Sequence, residues 1–414
     1  MEPETILMSD TTAVDRSPVK SGLRFSALDS LRGICACMIV LFHLRSTGVV
    51  TNSHLVRNSW MFVDFFFVLS GFVIACGYLE RLREGYSVRQ FMLLRLGRVY
   101  PLHLAVLLLF VVIELAGAML GTAGLSARAA FSEPRTPAEL AGTLALVQIF
   151  CGFPSIVWNG PSWSIAAEVW TYLLVALVVR ALPGRTAWAA TGLALAAFAT
   201  LALAGAAAWD PATGFAFVRC VLGFSVGVLC WILFSAMGRP RMGTAIATIL
   251  ELVAVASCCA LVASGSLPLA APIVFAGTVL LFAAEQGMVS RLLKLAPFLA
   301  LGTLSYSIYM VHTLVIARSL DVLSLAGRLL HHPLVETRLG SGGTIKVLVF
   351  APDAMAFAVL GGIVLCSALT YRWIEAPARD LSRALVRQSG RRGSLAAAPD
   401  AARDPEALPA TATS

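Results

Sequence analysis

The sequence predicts an all-α protein that crosses a membrane about ten times, with its N-terminus and C-terminus both in the cytoplasm. Three observations support this fold class. The 414 residues are 58% hydrophobic and only 13% charged, whereas a soluble domain carries about 25% charged residues. Apolar runs of about 20 residues recur, and this length crosses about 30 Å of hydrocarbon. Lysine and arginine are also distributed unevenly among the loops between these runs.

Ten segments have the length and hydropathy of membrane-spanning helices. They are residues 27–48, 60–79, 101–121, 163–182, 187–207, 214–235, 243–264, 268–286, 297–318 and 348–371. An eleventh apolar stretch, 138–153, has only 16 residues and contains Gln148. Length alone does not decide whether this stretch spans the membrane, re-enters it or lies at its surface.

The distribution of positive charge favours ten spans. With the N-terminus inside and 138–153 left out of the spans, 21 lysines and arginines lie in the cytoplasm, nine lie outside and Arg32 lies within a helix. Counting 138–153 as a span gives 13 inside and 17 outside. Because cytoplasmic loops carry the excess of positive charge, ten spans are the better prediction. The net charge of +8 is then a topology signal and not a nucleic-acid-binding surface.

Three regions follow from this pattern. Residues 1–24 are polar and lack the apolar core of a cleavable signal, so a cytoplasmic tail is expected. Residues 25–378 are expected to form the membrane domain. Residues 379–414 are rich in Ala, Pro, Arg and Ser, which predicts a disordered basic cytoplasmic tail. The nine cysteines lie in or beside apolar segments, and their spacing predicts neither a metal site nor disulfide bonds.

The first span carries an arginine and a histidine on one face. Arg32 and His43 are eleven residues apart, which is about three turns plus 20° and a rise of about 16 Å. Arg32 is therefore expected near the cytoplasmic surface and His43 in the outer half of the membrane. Asp29, one turn before Arg32, is expected to pair with it. The alternative is that Arg32 reaches to the membrane surface and His43 bonds a neighbouring backbone carbonyl.

Three further ionisable residues fall in the outer half of the membrane by depth, namely Asp64, Glu168 and His312. A carboxylate beside a histidine can fix its tautomer and raise its basicity, which is the arrangement of a general base. Each residue also has a structural interpretation: Asp64 as a helix N-terminal charge, Glu168 as part of an interfacial aromatic belt, and His312 as a buried hydrogen-bonded histidine. Aromatic and hydroxyl side chains accompany them at Trp163, Trp170, Tyr172, Ser305, Tyr306 and Tyr309.

Arg95 and Arg98 form an i, i+3 pair near the cytoplasmic end of the third span. Two guanidinium groups on one helix face suit a phosphate or pyrophosphate ligand. They equally suit lipid headgroups or simple anchoring at the cytoplasmic surface. Together with the outer histidines and carboxylates, they predict one cavity that an anionic ligand enters from the cytosol.

Six segments together give the sequence its resemblance to a known family. They are LDSLRGICACMIVLFH, VDFFFVLSGF, RLGRVYP, PSWSIAAEVWTY, LGTLSYSIYMVH and RWIEAPAR. In their order and spacing the chain resembles the bacterial membrane acyltransferase-3 family over residues 25–380. The resemblance implies ten helices in the inner membrane and transfer of an acyl group, often acetyl from acetyl-CoA, to a sugar hydroxyl.

The resemblance also implies roles for particular residues. Arg32 and His43 match a pair that is essential for transfer in the family, and Arg95 and Arg98 match a motif thought to hold the coenzyme A phosphates. The SGF and WSL-xx-E motifs match Ser70, Gly71, Phe72, Trp163, Ser164 and Glu168. The sequence departs from the family at Phe62, where glycine is usual, and reads WSI in place of WSL.

These observations lead to one predicted function and a set of site residues. The chain is expected to move an acyl group from acetyl-CoA, or another acyl-CoA, to a hydroxyl of a surface or exopolysaccharide sugar, with polysaccharide-biosynthesis proteins as further partners. His43 would deprotonate the hydroxyl or carry the acyl group, oriented by Asp64 or Glu168, while Arg32 would position the donor or stabilise charge. The predicted residues are His43, Arg32, Asp64 and Glu168 for catalysis, Arg95 and Arg98 for the donor, and Trp163, Ser164, Tyr306 and His312 for the substrate.

Two alternatives remain open on the sequence. One keeps acyl transfer but uses a small-molecule acceptor, such as a macrolide or a lipid-linked sugar. The other is a transporter or flippase, in which the same charged groups line a pathway and no bond changes.

Overall fold

Helices account for most of the chain in the computed structural model, which describes residues 23–119, 131–133, 135–153, 158–210, 214–340 and 343–396. The helices are α1 Ser26–His43, α2 His54–Arg57, α3 Phe62–Arg83, α4 Val88–Met119, α5 Pro137–Leu144, α6 Ser162–Ala181, α7 Thr186–Ala204, α8 Ala216–Met237, α9 Thr244–Ser264, α10 Ala271–Ala284, α11 Met288–Leu293, α12 Ala296–Leu329, α13 Pro352–Thr370 and α14 Ala376–Ala396. Within the described residues, nine helical segments are long and apolar enough to cross a membrane. The predicted all-α polytopic membrane fold is confirmed.

The one remaining predicted span, 268–286, corresponds to the short segment Pro268–Ala284, which contains α10. It follows Ala263, whose carbonyl accepts a 3.4 Å hydrogen bond from Asn58 at the end of α2. It ends at Glu285, whose carboxylate accepts from the backbone N–H of Ala27, 3.0 Å away, at the start of α1. The segment therefore runs from one end of the bundle to the other, as the ten-span prediction requires.

The ambiguous stretch 138–153 forms a short helix, α5, and a single 3₁₀ turn at Gln148–Phe150. Eight helical residues cover only about 12 Å and cannot cross the bilayer. The carbonyl of Leu146 accepts from the Trp170 indole at 2.8 Å, and Trp170 lies two turns inside α6. The stretch therefore packs against the first two turns of α6 and does not cross the bilayer.

Glycines allow two helix pairs to approach closely. A Cβ on Gly33 of α1 would lie 2.4 Å from the Leu301 carbonyl carbon of α12. A Cβ on Gly71 of α3 would lie 2.0 Å from the Phe224 oxygen of α8, and one on Gly227 would meet α3 equally closely. Small residues at such crossings are typical of membrane helices, where close packing replaces the hydrophobic effect. The α1–α12 contact places Arg32 beside α12.

Helical structure continues beyond the predicted end of the membrane domain. A π-helical turn, Tyr371–Glu375, leads directly from α13 into α14. Helix α14 packs on α4, where a Cβ on Gly97 would lie 2.3 Å from the Ser382 Cβ. Helical structure thus extends through Ala396, in a part of the chain where the sequence led us to expect a disordered tail from residue 379. Residues 397–414 and 1–22 lie outside the described residues.

A two-stranded hairpin between α12 and α13 was not predicted. Strands β1 Val335–Gly340 and β2 Gly343–Leu348 pair antiparallel. Leu348 also bonds the loop after α1, donating to the Arg45 carbonyl at 3.1 Å and accepting from Thr47 N–H at 2.9 Å. The hairpin therefore ties the segment that follows His43 to the start of α13.

Candidate active site

A cavity of about 90 Å³ opens between α1, α3, α4, α6 and α12, with room for about six water molecules. Most of its apolar wall comes from α3. Its polar lining contains three arginines, one carboxylate and a group of hydroxyls, namely Arg32, Arg95, Arg98, Glu168, Ser70, Ser164, Ser305, Tyr172, Tyr306 and Tyr309. Arginines from two different helices therefore face one space, as the sequence predicted.

Arg32 is held in position by α1 and α12. Its Nη2 lies 3.1 Å from an oxygen of Asp29, one turn earlier on α1, so this predicted pair is present. Its Nε donates to Ser305 Oγ at 2.8 Å. The glycine contact between the helices makes both bonds possible, because it brings α12 within reach of the guanidinium. Arg32 is therefore fixed before any ligand arrives.

Arg95 and Arg98 both reach the cavity from inside α4. This helix begins at Val88 and continues through Pro101, so the two arginines lie within a helix and not in the loop before it. Arg95 donates to the Tyr78 hydroxyl at 2.9 Å and stacks over that ring at 4.7 Å. Its Nε is buried without a hydrogen-bond partner among the described residues. A buried, unsatisfied guanidinium N–H is suited to an anionic ligand.

Glu168 belongs to the arginine-lined cavity. Its carboxylate accepts hydrogen bonds from the hydroxyls of Ser70 and Tyr172. Equal depth suggested that it would orient His43, but its position around α6 turns it toward α3 and α4. Glu168 therefore contacts Ser70 and Tyr172, and not His43 as its depth suggested.

Tyr309 links the cavity to the histidines. Its hydroxyl lies 2.9 Å from Ser164 Oγ, and its ring meets Phe66 edge-on with centroids 5.9 Å apart. The same ring lies 5.7 Å from the ring of His312. One turn away on α12, the Tyr306 hydroxyl donates to the Val99 carbonyl of α4. Ser164 and Tyr306 are thus wall residues whose hydroxyls already bond protein groups.

His43 and His312 form a pair outside the cavity lining. His312 Nε2 lies 3.3 Å from His43 Nδ1, and the ring centroids are 4.8 Å apart. His312 is fully buried, whereas His43 is exposed at the end of α1. The expected carboxylate partner of His43 is therefore replaced by a second histidine.

Asp64 forms a buried ion pair with Arg219 of α8. The closest atoms, Asp64 Oδ2 and Arg219 Nη2, are 2.9 Å apart, and both side chains are at most 3% exposed. The Arg219 guanidinium is surrounded by the indole rings of Trp60, Trp163 and Trp209 at 5.1–5.6 Å. The expectation that Asp64 orients His43 is thus corrected, and Trp163 contacts this ion pair and Phe67 instead of lining the cavity.

Two charged residues near the site were missed as candidates in the sequence. Arg219 was counted among the outer-loop charges, although a lone arginine at the start of an apolar run could have been matched with Asp64. Glu375 lies in the RWIEAPAR segment and is 2% exposed. It accepts from Ser307 Oγ at 2.9 Å and lies 3.6 Å from Arg379. In the sequence, only its place as the acidic residue of RWIEAPAR distinguishes Glu375.

Possible metal ligands and thiols also occur in the described part of the chain. No group of three or more His, Cys, Asp or Glu residues there could hold a metal ion. All nine cysteines are free thiols.

The fold and the site define a multi-pass membrane protein with an arginine-lined cavity beside a histidine pair. The chain belongs to the acyltransferase-3 family, because the family's acyltransferase domain matches residues 25–372. It is 28% identical to acyltransferase MdmB of Streptomyces mycarofaciens, over 94% of this chain and 97% of that protein. It is also 39% identical over 87 residues to protein 2 in the picA locus of Rhizobium radiobacter, covering 21% of this chain and 44% of that protein. No solved structure matches the chain. The protein is a membrane acyltransferase, so the prediction of an enzyme is confirmed.

Proposed function

We propose that this acyltransferase moves a short acyl group, represented by acetyl, from acyl-CoA to a sugar hydroxyl of a surface or exopolysaccharide at the bacterial inner membrane. One observation carries the proposal. Three arginines line a cavity that is separated by the ring of Tyr309 from a histidine pair, of which His43 is exposed and His312 is buried. The proposal assigns donor binding to the cavity and the chemical step to the adjacent histidine pair.

The cavity suits an anionic donor that carries an apolar arm. Arg95 and Arg98 present guanidinium groups to bind phosphates, in the fork geometry that phosphate oxygens accept. The Nε of Arg95 has no hydrogen-bond partner among the described residues, so a phosphate that displaces its neighbours would satisfy it. The wall opposite is apolar and comes from α3, through Val63, Phe66 and Val73. Such a wall fits the thioester end of the donor better than its charged end.

The sequence left two roles open for Arg32, positioning of the donor and stabilisation of charge, and its distance from His43 decides between them. Eleven residues of α1 separate the two backbones by about 16 Å. Their side chains contact Ser305 and His312, which lie seven residues or about 10 Å apart along α12. A guanidinium at that distance cannot stabilise charge on an oxygen beside His43, since direct hydrogen bonding requires about 3 Å. Arg32 therefore positions the donor, and the acyl end extends past Tyr309 toward the histidines.

His43 acts as the general base in this proposal. Its Nε2 takes the proton of the acceptor hydroxyl while the hydroxyl oxygen attacks the thioester carbonyl carbon. The new C–O bond forms, the C–S bond breaks, and the coenzyme A thiolate leaves and takes the proton from the imidazolium. The exposed position of His43 at the end of α1 leaves room for a bulky acceptor. A sugar on the outer side of the membrane could approach here.

The test uses the full-length protein in lipid nanodiscs with radiolabelled acetyl-CoA and surface polysaccharide from the host. The expected result is label on the polysaccharide and release of one coenzyme A per acyl group. His43→Ala should abolish transfer. His103→Ala is the control, since it removes a fully buried histidine from α4 that does not line the cavity.

Three other outcomes would change the proposal. Wild-type transfer by His43→Ala would refute the base. No coenzyme A release with any acceptor would refute the donor. Label that appears only on extracted small molecules, together with unchanged acyl content of the polysaccharide after gene deletion, would replace the polysaccharide with a small-molecule acceptor.

A further inference from the structure

The hydrogen bonds of His312 fix which of its ring nitrogens carries the proton. Its Nδ1 lies 2.6 Å from the Tyr309 carbonyl oxygen. A carbonyl oxygen only accepts hydrogen bonds, so Nδ1 must be the donor. In the neutral ring Nε2 then carries a lone pair, and this is the atom that faces His43. His312 is fully buried, and burial without an opposite charge disfavours a second proton on the ring.

The same reasoning fixes the tautomer of His43. Its Nδ1 lies 2.9 Å from the Ile39 carbonyl oxygen and 3.3 Å from His312 Nε2. Both neighbours are acceptors, so the Nδ1–H of His43 is shared between them. The lone pair of the neutral His43 ring is therefore on Nε2. Among the described residues, no hydrogen bond to His43 Nε2 is present, and the side chain is exposed.

We propose that His312 is the positioning residue for His43, holding its Nδ1–H so that Nε2 faces the acceptor hydroxyl as the base. The inference rests on the proposed function. When His43 Nε2 takes the hydroxyl proton, its Nδ1–H becomes a charge-assisted donor to His312 Nε2, which is stronger than the neutral bond. His312 stays neutral throughout and contacts neither the donor nor the acceptor.

This arrangement explains why a histidine stands where a carboxylate was expected. A neutral acceptor stabilises the protonated form of His43 less than a carboxylate would. The imidazolium then returns its proton to the departing thiolate more readily. A residue with an acceptor atom at the same point should perform the same role, whereas an apolar residue of similar size should not.

The test compares His312→Gln, His312→Leu and His103→Leu in nanodiscs, with kcat and the KM for acetyl-CoA measured separately. The Gln amide oxygen can accept from His43 Nδ1–H, so His312→Gln should keep kcat within about tenfold of wild type. His312→Leu should lower kcat at least about 100-fold, within the range that general-base catalysis contributes, with the donor KM within about threefold. His103→Leu is matched, because His103 is also fully buried and its Nε2 bonds a carbonyl at 3.1 Å.

Two results would overturn the inference and leave the proposed function intact: wild-type kcat in His312→Leu, or equal loss in His312→Gln and His312→Leu, while His43→Ala stays inactive. Activity in His43→Ala would instead refute the proposed function. If His312→Leu does not fold, ¹⁵N spectra of histidine-labelled wild-type protein, with His43 assigned through His43→Ala, still decide. A neutral His43 with its proton on Nε2 would contradict the proposal.

Discussion

Asp64 lies at the depth expected for a partner of His43, but it forms an ion pair with Arg219 instead. Both side chains are almost fully buried, and the arginine is enclosed by three tryptophans. Removing one partner of a buried pair leaves an uncompensated charge, which destabilises a protein by about 3–5 kcal/mol. Replacing both partners with apolar residues is often neutral. Comparing a single substitution with replacement of both partners therefore distinguishes a structural role of Asp64 from a catalytic one.

We expect Asp64→Ala to lower thermal stability strongly and the double variant Asp64→Leu with Arg219→Met to recover most of it. If Asp64 acts only through this pair, the folded double variant should also retain transfer activity. Thermal unfolding in detergent and acetyl transfer in nanodiscs measure the two effects. A stable double variant without activity would restore Asp64 to the list of catalytic residues.

Arg98 lines the cavity, where it would bind the phosphates of the donor. A hydrogen bond to a charged group contributes about 1.5–3 kcal/mol, which corresponds to about tenfold to 100-fold in affinity. Arg98→Ala should therefore raise the KM for acetyl-CoA by this factor and change kcat much less.

Arg89→Ala is the matched control for Arg98→Ala, since Arg89 lies on the same helix, is exposed and does not line the cavity. Equal KM values for the two variants would indicate that Arg98 binds no part of the donor. A large loss of kcat with unchanged KM would move Arg98 from donor binding to the chemical step.

The sequence predicted the members of the site better than their contacts. Helical spacing placed Arg32 and Asp29 on one face, and the structure confirms their contact. Depth along the membrane placed Glu168, Asp64 and His43 together, and here it misled. Depth gives the height of a residue, whereas its partner depends on rotation about the helix axis and on which helices are neighbours, and neither can be read from a single span.

At the scale of elements, the SGF motif has a packing explanation. Gly71 lies where α3 crosses α8, and a Cβ there would lie 2.0 Å from the Phe224 backbone oxygen. Gly77, six residues later in α3, has nothing within 4 Å of its Cβ position. The two glycines thus provide a comparison within one helix, because only the first is required by a backbone contact.

Gly71→Ala should destabilise the protein by about 1–3 kcal/mol, as is typical of overpacking, and should lower activity because Ser70 would move relative to Glu168. Gly77→Ala should be neutral or slightly stabilising, since alanine favours helix over glycine. Thermal unfolding of both variants under identical detergent conditions tests this. Equal unfolding temperatures would show that the α3–α8 crossing adapts to the added methyl group.

The elements that the sequence predicted well are those with strong local signals. Long apolar runs fix the spanning helices, because hydrocarbon accepts no unsatisfied backbone. The hairpin at Val335–Leu348 and the polar helix α14 depend on contacts with distant segments, namely the loop after α1 and helix α4. Such contacts are invisible in a window of local sequence, so one element was missed and the other was assigned to a disordered tail.

The whole molecule divides the proposed reaction between two ends of one bundle. Arginines of α1 and α4 line the cavity, while the histidine pair lies about three turns further along α1. The hairpin and Asp353, which accepts from Val49 N–H at 2.9 Å, secure the loop that follows His43. Rigid support at this end is required if the His43–His312 distance is to survive the approach of a bulky acceptor.

The division of the site between the two ends of the bundle depends on the path of the chain through the membrane. If Pro268–Ala284 is a true crossing, Ser266 before it lies outside and Arg291 after it lies in the cytoplasm. Single cysteines at these positions, Ser266→Cys and Arg291→Cys, can be introduced into a variant whose nine cysteines have been replaced. A maleimide that does not cross the inner membrane should label Ser266→Cys in intact cells, and Arg291→Cys only after the membrane is permeabilised. Labelling of both in intact cells would mean that α10 returns to the outer side, that the C-terminus is outside, and that the cytosolic route to Arg95 and Arg98 must be redrawn.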